Sequence, residues 1–282
     1  MNRQILSDGI GKEPACVAVC QRPACGPAQR VPRWSMPRGC NTHSERVHMS
    51  KFTSLFPAAF FSLLLPGVAL AKNPQPLAVA NYKAPIKLAC VGDSITQGVG
   101  AAGGMSWPDQ LGKLLGDKWE VKNFGVSGTT LLQSGDNPYQ KQGAFQQAKE
   151  CAPDVVVIVL GTNDTKPQNW KNKEHFVADY MDLISQFAKL PSKPRVFIGY
   201  PPYIAGDGNF GINEAATKEE IPLLDQVAKT TQSGVIDVHG ALVGKDALIP
   251  DKVHPNTQGA TEIAKAVCMG LTGKLPAPPA AK

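Results

Sequence analysis

Four short stretches carry residue types that suit acyl-transfer chemistry. The apolar run Ile86 to Val91 is cut off by Gly92-Asp93-Ser94, which puts a small hydroxyl at the end of a strand-like segment. A hydroxyl is a weak nucleophile alone and needs a base and a site for the oxyanion. Asp251-Lys-Val-His254 offers the base. An acid three residues before a histidine can reach the imidazole, fix its tautomer and leave the other ring nitrogen for a serine. Gly128, in Gly125-Val-Ser-Gly128, lacks a Cβ, so its backbone N–H can face a ligand. Asn163, in Gly161-Thr-Asn-Asp164, supplies a side-chain amide donor. Ser94 is the candidate nucleophile, His254 the base, and Asp251 the acid that orients it.

The elements that must bring these groups together read as alternating strands and helices. Strands are expected at 86–91, 119–124, 154–160, 195–199 and 234–238, and helices at 107–115, 144–150, 175–190, 214–230 and 257–269. Asp154-Val-Val-Val-Ile-Val-Leu160 is apolar on both faces, as a central parallel strand covered above and below must be. Ser106 is positioned to cap the first long helix, with Pro108 in its first turn. Pro222 is expected to kink or break the 214–230 helix. Alternation without internal repeats implies a three-layer α/β/α sandwich. In such sheets ligands bind at the carboxyl ends of the strands, where three of the four stretches fall.

Taken together, Gly92-Asp-Ser-Ile95, Gly125-Val-Ser-Gly128, Gly161-Thr-Asn-Asp164 and Asp251-Lys-Val-His254 resemble, in order, the blocks of the SGNH (GDSL-like) hydrolases. The resemblance implies a flavodoxin-like sandwich with a mostly parallel five-stranded sheet, no cofactor and no metal. It also implies a serine-esterase mechanism through an acyl-enzyme. Ser94, His254 and Asp251 would be the triad, and the Ser94 N–H, the Gly128 N–H and the Asn163 side chain the oxyanion hole. The forms Gly92-Asp-Ser-Ile-Thr96 and Gly161-Thr-Asn-Asp-Thr-Lys166 look most like carbohydrate O-acetylesterases, including sialate and xylan types. A small-molecule or glycan ester is then the expected substrate, with an acetyl-sized acyl group. A lysophospholipase or acyl-thioesterase of the same fold is the alternative, and Leu131-Leu132 its only candidate for an apolar acyl groove. A catalytically idle sugar-binding module is another, disfavoured because a binder needs no base.

Other residues compete for roles. Trp170, Tyr200 and Tyr203 follow strand ends and could stack on a sugar ring, or simply pack. Asp93 and Asp164 read as acids that bond turn amides and brace loops. Ser127 has the look of half a nucleophile elbow, but the fifth position is Thr129 rather than Gly. His239 lacks an acid three residues earlier, and His175 opens a helix where exposure is expected.

The start of the chain divides from the rest. Met49-Ser-Lys51, an apolar run from Phe52 and Ala69-Leu-Ala71 make a signal peptide at 49–71, so the product is expected to be exported, periplasmic or extracellular. Pro57, Pro66 and Gly67 make that run a poor membrane span, and no stable insertion is expected after cleavage. Residues 1–48, with Cys16, Cys20, Cys25 and Cys40, read as a segment upstream of the true start. Residues 72–84 read as a linker, 85–272 as the hydrolase domain and 273–282 as a loose tail. The formal charge is +6, but eight of the 29 Lys/Arg and only three of the 23 Asp/Glu precede residue 72. The remainder is near neutral, which gives no electrostatic case for nucleic acid. Three cysteines remain, Cys90, Cys151 and Cys268; the spacing leaves open whether the last two pair.

Overall fold

The structure is a computed structural model and describes residues 76–275. The expected segment 1–48 and signal peptide 49–71 lie outside the described residues, as do the start of the linker and most of the tail.

Five strands form one sheet: β1 (Ile86–Gly92), β2 (Trp119–Gly125), β3 (Val155–Val159), β4 (Arg195–Gly199) and β5 (Gly234–Ile236). Their spatial order is β2-β1-β3-β4-β5 and every pairing is parallel, so the sheet is fully rather than mostly parallel. Between them run α1 (Ser94–Gln97), α2 (Trp107–Leu115), α3 (Gly143–Glu150), α4 (Pro167–Trp170), α5 (Phe176–Ala188) and α6 (Glu214–Thr231), and α7 (Thr257–Thr272) follows β5.

The period-2 alternation of each strand divides the core into two layers. Leu88, Cys90, Val155, Val157, Val159 and Phe197 face Trp107 and Leu111 of α2 and Ile263, Ala264 and Val267 of α7. Ala89, Val91, Val156, Ile158, Val196 and Ile198 face Phe145 of α3, Tyr180, Leu183 and Phe187 of α5 and Leu224 and Val227 of α6. β3 is buried at all five positions, as its unbroken apolar sequence requires. At roughly 1.5–3 kcal/mol for each large apolar side chain buried, these two layers supply the main drive for folding.

Local signals fix several ends. Ser106 and Asp109 form a reciprocal capping box at α2, with Pro108 in the first turn. Asn213 and Asn256 cap α6 and α7 through their side-chain oxygens. Of the kink or break expected at Pro222, the break does not occur: α6 continues through it. Pro222 is on the exposed side of the helix, where the carbonyl left without a donor can turn to water. Leu131 and Leu132 are buried in the core rather than lining a groove. Cys151 packs in the α3/α5/α6 layer and Cys268 in the α2/α7 layer; both are free thiols, as is Cys90. The sheet separates the two, so they cannot pair.

Candidate active site

The register of the sheet brings the strand ends to one level. Gly92 pairs with Gly125 on one side and Val159 on the other. The chain after β1, β2 and β3 therefore leaves the sheet along one rim. Ser94 is the first residue of α1, whose N-cap Asp93 accepts a hydrogen bond from the Ile95 N–H at 2.9 Å. The Val126 N–H donates to the Gly92 carbonyl at 3.0 Å, and the Ser127 N–H to Gln97 Oε1 at 2.8 Å. These bonds tie the Gly128 turn to the helix that carries Ser94. The approach is close: a Cβ on Gly125 would come within 2.2 Å of the Gln97 backbone nitrogen. Gly128 itself has φ +76°, the left-handed region that glycine enters without cost.

The turn after β3 is locked to the turn after β2. Asn163 Nδ2 donates to the Thr129 carbonyl at 3.0 Å. Asp164 accepts from the Leu131 and Leu132 N–H groups at 2.8 and 2.7 Å. Asn169 Nδ2 donates to the Asn163 carbonyl at 2.9 Å. Asn163 is 4% exposed, and its amide holds a second N–H beyond the one given to Thr129. Asp93 and Asp164 thus do the bracing that their positions suggested.

The last loop completes the set. Asn256 caps α7, and Gln110 of α2 donates to the Met105 and Thr257 carbonyls at 2.8 and 3.0 Å. Ala102 N–H donates to Thr257 Oγ1 at 2.9 Å. So the segment before α7 is held against α2 and the loop that follows α1. His254 Nε2 lies 2.9 Å from Ser94 Oγ, across 160 residues of sequence. His254 Nδ1 lies 2.7 Å from Asp251 Oδ2. Asp251 Oδ1 also accepts from the Val253 and His254 backbone N–H groups at 3.0 and 2.6 Å. Partial burial works against the charged carboxylate, but these N–H groups and the His254 ring outweigh it. They hold Asp251 below the usual carboxylate range. An ionised Asp251 keeps the proton on Nδ1, which leaves Nε2 to accept from the serine hydroxyl.

Beneath this rim lies a group of buried acids. Burial raises Asp93 to about 6 and Asp164 to about 7, against the backbone N–H bonds that each accepts. Glu220 of α6 lies against Gly161 with both carboxyl oxygens lacking a hydrogen-bond partner; burial raises it well above the usual range. Nothing along the chain marks Glu220 as buried, since a Glu in a helix is ordinarily solvated.

The contacts of the other sequence candidates are with residues outside Ser94, His254 and Asp251. Tyr200 continues the β4 alternation toward α6, where its hydroxyl bonds Asp225 and its ring packs in that layer. Tyr203 sets its ring edge-on to His239 at 5.9 Å and packs against the opposite layer. Both rings are partly buried against the core, the packing that the sequence allowed beside ring stacking. Trp170 packs edge-on to Phe176 at 5.5 Å and donates from Nε1 to Glu219 at 3.0 Å, while bordering an open groove with Pro167, Lys173 and Asn213. His239 pairs with Glu214 at 2.9 Å, and His175 is largely exposed. The aromatic ring that does lie on His254 is Phe210, 5.8 Å away between centroids. It was missed because nothing in a Gly-rich loop tells which distant residue the loop folds onto. Among the described residues, no group of three His, Cys, Asp or Glu side chains could hold a metal ion.

Residues 90–261 match the GDSL-like lipase/acylhydrolase family. The chain belongs to that family. Its curated relatives include an acetylxylan esterase of Xylanibacter ruminicola, 35% identical over 207 residues, which are 66% of this chain and 43% of that protein. A multidomain esterase of Ruminococcus flavefaciens is 24% identical, over 77% of this chain and 32% of its own length. The chain thus spans less than half the length of either. Among solved structures, a carbohydrate acetylesterase of Sinorhizobium meliloti aligns with TM-score 0.54 and 21% identity, covering 65% of this chain and 96% of that one. An acetylxylan esterase of Geobacillus stearothermophilus aligns with TM-score 0.52 and 21% identity, over 67% and 94%. The two structures share the α/β sandwich with this chain.

Proposed function

We propose that this chain is a serine esterase that removes short acyl groups, acetyl foremost, from a carbohydrate alcohol. The observation that carries this reading is the unbroken hydrogen-bonded series from Ser94 Oγ through the His254 ring to Asp251. Ser94 attacks the ester carbonyl while His254 Nε2 takes its proton. The Ser94 N–H, Gly128 N–H and Asn163 amide stabilise the tetrahedral oxyanion. His254 then gives the proton to the departing alcohol, and water, activated by the same imidazole, releases the acid from the serine.

Two findings support a small acyl group on a polar alcohol. Leu131 and Leu132, the residues suited to an acyl groove, are spent in the core. The relative with 35% identity is an acetylxylan esterase. Residues 49–71 would direct export of the chain, as suits an enzyme acting on a polymer too large to enter a cell. The test is acetate release from acetylated xylan and acetylated sialic acid, with an ester series from acetate to decanoate. Activity on acetate esters that Ser94→Ala abolishes supports the reading. Activity rising with chain length makes the chain a lipase or thioesterase instead. No turnover, with glycan binding kept, makes it a binding module.

A further inference from the structure

The loop between β4 and α6 presents one aromatic ring that packing does not explain. Phe210 is 56% exposed, the most exposed large apolar side chain among the described residues. Its φ is +55°, a left-handed conformation that a bulky residue rarely adopts unless its surroundings impose it. The surroundings do. Asn209 and Ile212 exchange backbone hydrogen bonds at 3.1 and 2.8 Å, and the Phe210 N–H donates to Asn209 Oδ1 at 2.8 Å. This small hairpin is fastened to the loop that carries the acid and the base. The Ala205 N–H donates to the Lys252 carbonyl at 2.9 Å, and Asn209 Nδ2 to the Asp251 carbonyl at 3.1 Å. Lys252 pairs with Asp207, and Ile204, Ile212 and Val253 form a buried apolar seam between the two loops. Phe210 is thus a rigidly mounted, water-facing ring whose neighbour is the imidazole of His254, tilted at 52° to it.

The chemistry decides which half of an ester would meet that ring. The acyl oxygen must turn to the N–H donors after β2 and β3. The alcohol oxygen must come to His254 Nε2, because that nitrogen hands it the proton taken from Ser94. The bond from Ser94 Oγ to the acyl carbon forms first; when the tetrahedral oxyanion collapses, the bond from that carbon to the alcohol oxygen breaks and the proton leaves with the alcohol. Whatever carries that oxygen lies beside His254. We propose that Phe210 is the platform for the alcohol half of the ester, taking the apolar C–H face of a sugar ring against its own face. The assignment rests on the esterase reading above and adds the residue that selects the alcohol. An exposed aromatic provides contact area at low conformational cost and tolerates a hydroxylated ring, whose polar edge stays in water.

The experiment compares two acetates that share the acyl half. Acetylated xylotriose has a sugar alcohol; ethyl acetate has none. Acetate release is followed by pH-stat for wild type, Phe210→Ala and Phe210→Trp. Phe210→Ala is expected to lower kcat/KM for the oligosaccharide about tenfold, through KM, as loss of one ring-stacking contact implies. It should leave ethyl acetate within about twofold, and Phe210→Trp should restore the oligosaccharide value. An equal fall on both esters overturns the assignment and makes Phe210 a shield for the imidazole, and no change on either also overturns it. A wild type active on ethyl acetate but not on the oligosaccharide sinks the platform while the esterase reading stands. A wild type inactive on both, or an active Ser94→Ala, sinks the two together.

Discussion

Asn163 braces two turns, and the proposed function gives it a second role as an oxyanion donor; two measurements on one substitution tell the roles apart. Its side chain donates one N–H to the Thr129 carbonyl at 3.0 Å, which braces the turn after β2 against the turn after β3. Its other N–H is the one assigned to the oxyanion. Asn163→Ala removes both. Losing the donor costs about 2.7–4 kcal/mol of transition-state stabilisation, or about 10²–10³ in kcat. KM should barely move, because the charge that the donor serves exists only in the transition state. Losing the brace leaves a buried carbonyl unpaired at a cost of about 1–3 kcal/mol, which lowers Tm by several degrees in a domain of this size. The two effects are read separately, by acetate release at saturating ester and by calorimetry. Asn163→Asp sharpens the comparison. It preserves the shape but presents a negative charge to the developing oxyanion, so turnover should fall below that of the alanine variant. An Asn163→Ala protein with lowered Tm but kcat within about threefold of wild type would refute the reasoning: Asn163 would then be a brace and nothing more.

Two further expectations follow from packing and burial. Gly125→Ala should destabilise the fold by about 1–3 kcal/mol or more, since the new Cβ meets the Gln97 backbone at 2.2 Å and neither chain can give way easily; a urea midpoint equal to wild type would contradict the close approach. Stability should fall as pH rises. Asp93 and Asp164 are raised in the folded state to about 6 and about 7, so the unfolded chain releases these protons first and gains on the folded one from about pH 4 upward, until the folded groups ionise. Each pKa unit is worth about 1.4 kcal/mol, and mutual repulsion prevents the two shifts from adding, so a loss of about 2–4 kcal/mol between pH 5 and pH 8 is expected. Asp251 runs the other way: it is held low, and its contribution disappears only as pH falls through its folded value. A urea midpoint at pH 8 equal to or above that at pH 5 would show that the buried acids do not titrate as described.

Much of this protein was legible along the chain because the signals are local. An apolar run ended by Gly-Asp-Ser, an acid three residues before a histidine and a serine two residues before Pro108 each state their structure within a turn or two. The strand and helix order needed only hydrophobic period. Four blocks in the right order carried the family resemblance, which the match over residues 90–261 bears out. Tertiary structure alone decided what depends on one loop meeting another. It set the strand order, the free state of Cys151 and Cys268 on opposite layers, and the burial of Leu131 and Leu132. It turned Tyr200 toward Asp225, buried Glu220 beneath the site and laid Phe210 on His254. The physical reason is that a side chain's environment is a sum over neighbours distant in sequence. Period and turn chemistry fix which element forms, whereas contacts such as those joining the loop around Phe210 to Asp251–Val253 exist only once the sheet has closed.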